Sequence, residues 1–313
     1  MANQETRRLD DIISNRRAMM ALGGAALAGL ALSGVSHAQA TITDTDVLNF
    51  ALNLEYLEAQ FYSLAAFGVT IDKQPTPIPI AVNGGTAGTV TVKPGFTKVP
   101  FSNSLIADYA AETAIEEGRH VTFLQGALGK SAVSMPNIDL YNSFNTLANV
   151  AGIGPAFDPF DKDADFLIGA YIFEDVGVTA YHGAAGSLTS KDNLGAAAGI
   201  LAVEAYHAGL IRTTINQIDA GSGALASLTQ KISATRSKLA NPSGTPVDDV
   251  GLTSAGVSLN GSATSAMATT FVDADANSVA FSRTPNQILQ IVTGGSANHQ
   301  GVFFPNGLNG TIK

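Results

Sequence analysis

The sequence predicts an all-α protein: a four-helix bundle with a β-hairpin or loop insertion between its first two helices and a loop-rich C-terminal tail. Three observations predict it. Four long stretches repeat apolar side chains at i, i+3, i+4 and i+7, the period of a helix with one buried face. A Glu-x-x-His pattern occurs twice, each time on such a stretch, as Glu117/His120 and Glu204/His207. Turn-forming and alternating residues gather in residues 69–101 and again after Asn241.

The composition fits one substantial core, with 45% hydrophobic and 14% charged residues in 313. Trp is absent and Gly numbers 32, so packing relies on small and aliphatic side chains. Cysteine is absent too. That excludes disulfides, thiolate metal sites, iron–sulfur clusters, a Cys nucleophile and a lipid-modified N-terminal Cys.

Residues 1–40 read as a leader. Arg16-Arg17 precedes an apolar, Gly/Ala-rich run from Ala21 to Val35, and Ala38 and Ala40 offer small residues for cleavage. The paired arginines and mild hydrophobicity resemble a twin-arginine (Tat) signal, with a Sec signal as the alternative. The run is too short and too rich in Gly and Ala for a membrane anchor, and no later stretch is expected to span a membrane. Export to the periplasm or the exterior follows from this reading. The whole chain carries a net charge of −9. The leader holds four arginines and only three acids, so the remainder is more acidic still. Such a chain, without basic clusters, is a poor partner for nucleic acid or anionic membrane.

The bundle is expected over residues 41–240. Its first helix runs Asp44–Ala66, capped by Thr43 or Asp44 and ended by Gly68. Glu55, Glu58 and Tyr62 share one of its faces. Residues 69–101, with their prolines, Gly84-Gly85 and the alternation Thr89-Val90-Thr91-Val92, read as an insertion holding a short β-hairpin. The second helix runs Ser102–Gly129 with Ser102 or Ser104 as cap, and Ile106, Ala110, Thr113, Glu117, His120 and Leu124 on one face. After a connection with a short helix at Asp139–Val150 come the third helix, Asp163–Ser187, and the fourth, Lys191–Asp219. A fifth amphipathic segment spans Ala224–Leu239. The tail, 241–313, contains a short helix at Pro285–Val292 and aromatics near its end that suit docking on the bundle.

The chain repeats itself in a way that carries chemistry. Glu55 is followed seven residues later by Tyr62, and Glu174 by Tyr181. Each of those helices precedes a Glu-x-x-His helix. The gap from Glu55 to Glu117 is 62 residues and that from Glu174 to Glu204 is 30, and the insertion accounts for the surplus. A Glu and a His three residues apart lie one turn apart on one helix face. Either pair alone reads as an ordinary core His beside a Glu. Both together supply four carboxylates and two imidazoles, a donor set suited to two divalent ions inside a four-helix bundle. Tyr62 and Tyr181 are either partners of the ligands or core aromatics with a satisfied hydroxyl. His182 and His299 have no partner pattern, and nothing in the sequence marks a hydrolase nucleophile.

At these residues the chain resembles the ferritin-like superfamily. The segment Asn53-Leu54-Glu55-Tyr56-Leu57-Glu58-Ala59-Gln60-Phe61-Tyr62, together with Arg283-Thr284-Pro285 and Phe303-Phe304-Pro305-Asn306-Gly307, is similar to an exported ferritin-like group that includes desiccation-related proteins. The resemblance covers residues 43–309. It implies metal ligands Glu55, Glu117, His120, Glu174, Glu204 and His207, with Glu58 as the alternative to Glu55. Glu117 and Glu204 would bridge; Glu55 and Glu174 would be terminal. It further implies two iron ions, or manganese or a mixed pair, acting on O2 or peroxide by ferroxidase, peroxidase or Mn-catalase chemistry. The alternative is a non-enzymatic envelope stress-protection protein with a structural or vestigial site. The insertion and tail depart from compact iron-storage chains, which leaves homo-oligomer assembly open.

Overall fold

The computed structural model describes residues 42–244, 248–253 and 270–313; the expected leader lies outside them. Among the described residues seven α-helices occur in this order: α1 (Asp44–Phe67), α2 (Ser104–Leu128), α3 (Asn142–Val150), α4 (Asp163–Ala185), α5 (Lys191–Asp219), α6 (Ala224–Ala240) and α7 (Pro285–Val292). The bundle is built from two helix pairs, α1 with α2 and α4 with α5. Each pair carries one half of the internal repeat.

Local chemistry sets the helix ends. Thr43 and Asp46 form a capping box, with the Asp46 carboxylate accepting the Thr43 N–H at 2.8 Å. Gly68 closes α1 in the left-handed region, φ 76°. The cap of α2 is Asn103, whose side chain accepts the Leu105 N–H at 2.9 Å, and not Ser102 or Ser104. Ser102 is occupied elsewhere: its N–H and hydroxyl both donate to Asp163 at the start of α4. A matching tie joins the other two helices, where Asp44 of α1 accepts the N–H groups of Thr189 and Ser190 before α5.

The expected β-hairpin is corrected. A two-residue strand β1 (Val90–Thr91) is present in the insertion, but it pairs in parallel with β2 (Ile138–Asp139) from the connection after α2. The alternation of Val and Thr made a strand legible, while its partner lies more than forty residues away. The expectation that no stretch reaches spanning length is also corrected. By length and composition alone α5 is long and apolar enough to cross a membrane. Its Glu204, His207 and Arg212 are buried in the bundle, as suits the core helix of a folded domain.

Helices α1 and α4 are buried around almost their whole circumference. A helix apolar on all sides needs cover on all sides. The insertion and the connection after α2 cover α1: Val99 N–H donates to Ala65 O at 3.1 Å, and the Tyr56 hydroxyl to Val133 O at 3.2 Å. The tail covers both. Asn53 of α1 exchanges hydrogen bonds with the backbone of Asn309 at 2.8 and 2.9 Å. Arg283 N–H donates to Thr179 O of α4 at 3.0 Å. The tail crosses α4 so closely there that a Cβ on Gly183 would lie 1.9 Å from Arg283 O. Phe303 is buried against Phe144 and Phe173, with ring centroids 5.3 and 4.9 Å apart.

Candidate metal centre

Four helices each contribute inward side chains at mid-height. Glu55 and Tyr62 come from α1, Glu117 and His120 from α2, Glu174 and Tyr181 from α4, and Glu204 and His207 from α5. Helical spacing explains each pair, since residues three or seven apart share a face. All eight are buried.

The carboxylates and imidazoles form two overlapping groups. Donor atoms of Glu55, Glu117, His120 and Glu204 lie within 4.8 Å of one another, and so do those of Glu117, Glu174, Glu204 and His207. Glu117 and Glu204 belong to both. Nδ1 of His120 is 3.2 Å from Glu55 Oε2, 3.4 Å from Glu117 Oε2 and 3.6 Å from Glu204 Oε1. Nδ1 of His207 is 3.0 Å from Glu117 Oε1 and 3.4 Å from Glu174 Oε2. The two rings are 6.3 Å apart.

The tyrosines cross between the halves. Tyr62 of α1 donates its hydroxyl proton to Glu174 Oε1, and Tyr181 of α4 donates to Glu55 Oε1. Each bond occupies one carboxylate oxygen and leaves the other facing an imidazole. Glu58 is buried but belongs to neither group, so the structure gathers Glu55 and not Glu58 with His120. His182 faces Phe281 O at 3.1 Å, and His299 faces Lys313 O at 3.2 Å, both away from the centre.

The electrostatics are those of too many acids in too little solvent. Burial raises the pKa of Glu55 to about 7, against the lowering pull of His120. Burial, reinforced by neighbouring carboxylates, holds Glu58 and Glu204 well above the usual range. Burial also raises Glu174. Burial pushes Glu117 up as well, but the two imidazoles close beside it outweigh that and hold Glu117 low. His120 rises to about 12 and His207 rises further, because surrounding carboxylates overcome the desolvation of the rings.

Cations fit this donor set. Both oxygens of Glu117, both of Glu204, Glu174 Oε2 and His207 Nδ1 are buried without a hydrogen-bond partner. Orphaned acceptors at this density are costly unless protons or metal ions satisfy them. Space is tailored to them: a Cβ on Gly177 would lie 2.2 Å from Glu204 Oε2.

Sequence reasoning missed Glu116. Its carboxylate lies 2.7 Å from Nε2 of His207, on the ring edge facing away from the centre. One residue before an inward Glu, it points about 100° around the helix from the ligand face. Only the position of α5 brings it to His207. A further buried group, Asp175, Asp249 and Asp273, has the spacing of a metal site. Guanidinium groups already compensate two of its three acids, Asp175 and Asp249. Arg212 and Arg236 each donate to Asp175 Oδ2 at 2.9 Å, and Arg283 donates to Asp249 Oδ2 at 2.9 Å.

The comparisons with known proteins agree with this architecture. The ferritin-like domain model matches residues 43–217, more than half the chain. The chain is 33% identical over 256 residues to the desiccation-related protein PCC13-62 of Craterostigma plantagineum, covering 79% of this chain and 76% of that one. It is 26% identical over 277 residues to the ferritin-like catalase Nec2 of Nesocodon mauritianus, covering 86% and 84%. No solved structure matches. From its helix order, its paired Glu and His motifs and these matches, the chain belongs to the ferritin-like domain family.

Proposed function

We propose that this protein is an exported di-metal carboxylate oxidoreductase that breaks down hydrogen peroxide, or reduces O2 while oxidising Fe(II), with two iron or manganese ions. The observation that carries the reading is the pair of overlapping donor groups sharing Glu117 and Glu204, with their oxygens otherwise unpartnered. Glu117 and Glu204, which belong to both groups, would help hold both ions, Glu55 and His120 would help hold one, and Glu174 and His207 the other. When bound, two such ions supply the two electrons that cleavage of an O–O bond requires.

The chain's own residues then have defined tasks. Tyr181 and Tyr62 hold Oε1 of Glu55 and Glu174, so that Oε2 of each carboxylate is presented to the centre. Glu58, buried among these carboxylates, has its pKa raised by burial and its acidic neighbours and is placed to exchange a proton beside the centre. The apolar shell excludes bulk water, which strengthens every charge inside it. The relative named as a ferritin-like catalase favours the peroxide reaction. Export, by the Tat route, rests on the leader read in residues 1–40.

A second reading follows from the relative named for desiccation: an envelope protein whose ions, if bound, are structural. Metal content and turnover separate the two. The protein purified from its native compartment should hold about two ions per chain, and His120→Ala with His207→Ala should remove both. Peroxide loss and Fe(II) oxidation are followed on the same sample. A folded, metal-free native protein sinks the oxidoreductase reading, and metal without turnover favours the second.

A further inference from the structure

The two halves of the centre share the same pattern of ligands and tyrosines but differ beside it: Glu58 of α1 stands where α4 has Gly177, and the residue before the Glu-x-x-His glutamate differs as well. Glu116, immediately before Glu117, holds Nε2 of His207 at 2.7 Å. The corresponding residue before Glu204 is Val203, which has no group to accept a hydrogen bond. Nε2 of His120 accordingly has no protein partner among the described residues, while Nδ1 of both rings faces the carboxylates.

This difference matters because an imidazole offers a lone pair at Nδ1 to an ion only when its proton sits on Nε2. A carboxylate accepting that Nε2 proton fixes the tautomer, locks the ring and makes Nδ1 the stronger donor. His207 has such a partner and His120 does not. Exposure points the same way: the side chain of His120 is 11% exposed and that of His207 is 3%.

We propose that the two ion positions are inequivalent, and that Glu116 is the positioning residue that makes the Glu174–His207 position the tight one. The Glu55–His120 position is the exchangeable one, filled last and emptied first. This rests on the di-metal reading above. Glu116 touches neither ion nor substrate and acts through His207. Its own side chain is 32% exposed, so it can be replaced without opening the core.

The test is a Mn(II) titration of the full chain without oxidant, with free Mn(II) counted by electron paramagnetic resonance. Two steps are expected, separated by about 10–100-fold in affinity. Glu116→Val copies the other half and should weaken the tight step until the two merge. Glu116→Gln, whose carbonyl oxygen still accepts from Nε2–H, should preserve part of the separation. In the Zn(II)-loaded protein, proton NMR should show a slowly exchanging His207 Nε2–H that is lost in Glu116→Val; a merely structural residue would not move that signal. Two equal steps in the unmodified chain overturn the proposal and leave the di-metal reading standing. So does a Glu116→Val variant that keeps the full separation. Failure of the folded chain to take up Mn(II) overturns both.

Discussion

Two clusters of buried charge sit in one bundle, and neighbouring residues of α4, Glu174 and Asp175, belong to different ones. Around Glu174 are the other three glutamates and two histidines of the centre, with five oxygens of the four carboxylates lacking a hydrogen-bond partner. Around Asp175 are Asp248, Asp249, Asp273 and three buried arginines, Arg212, Arg236 and Arg283. Both have the acid spacing of a metal site. The difference is the permanence of the positive charge. A guanidinium cannot leave and is always charged, so the pairs that the arginines make with Asp175, Asp248 and Asp249 are complete when the chain folds. An imidazole offers a lone pair at one nitrogen, so the glutamate cluster is finished by protons or by ions. Its location also differs. The arginine cluster joins α4, α5 and α6 to the tail, whereas the glutamate cluster joins the four bundle helices to one another.

The largest test of this contrast changes one buried side chain in each cluster. Arg236→Met leaves Asp175 and Asp249 short of a partner and should lower unfolding free energy by about 3–5 kcal/mol, read by denaturant titration. Glu204→Gln, in contrast, replaces a carboxyl whose pKa burial and neighbouring acids already raise well above the usual range with a neutral amide of the same shape. The metal-free variant should be no less stable than the unmodified chain, although its ion binding is impaired. Equal destabilisation by the two changes would erase the distinction.

The next test uses pH. Glu55 has a folded-state pKa raised from 4.5 to about 7, so the stability it confers is full below 4.5 and is lost as pH rises through about 7. At 1.4 kcal/mol per unit this is on the order of 3 kcal/mol. Asp249 has the opposite sign. Burial raises its pKa, but Arg236 and Arg283 outweigh that and hold it below 3.8, so its stability is present above 3.8 and lost as pH falls. Unfolding of the metal-free chain should therefore become easier on both sides of a mildly acidic optimum. Loading with ions should flatten the alkaline side alone, because ions replace the protons that Glu55 would otherwise need.

The smallest effect belongs to a single hydrogen bond. Tyr181→Phe removes the donor to Glu55 Oε1 and should cost about 1–2 kcal/mol of stability, with an ion still bound at the Glu174–His207 position. Loss of both ions on this change would mean that the tyrosines build the centre and do more than orient its terminal carboxylates.

What the sequence by itself determined is local. Helical period, the Glu-x-x-His turns, the Glu-to-Tyr spacing of seven and the Thr43 cap of α1 involve residues within two turns of one another, where backbone geometry alone decides which side chains share a face. The repeat then made the two halves comparable and singled out Glu55, Glu117, His120, Glu174, Glu204 and His207. What only the tertiary structure decided depends on pairs far apart in the chain. The tyrosines serve the opposite half, 112 and 126 residues away. Strand β1 found a parallel partner outside the insertion, and three scattered arginines met three aspartates. Glu116, pointing off the ligand face of its own helix, gained meaning only when α5 brought His207 to it. Periodicity specifies the face a residue takes on its helix, but the neighbour it meets there depends on how the helices pack.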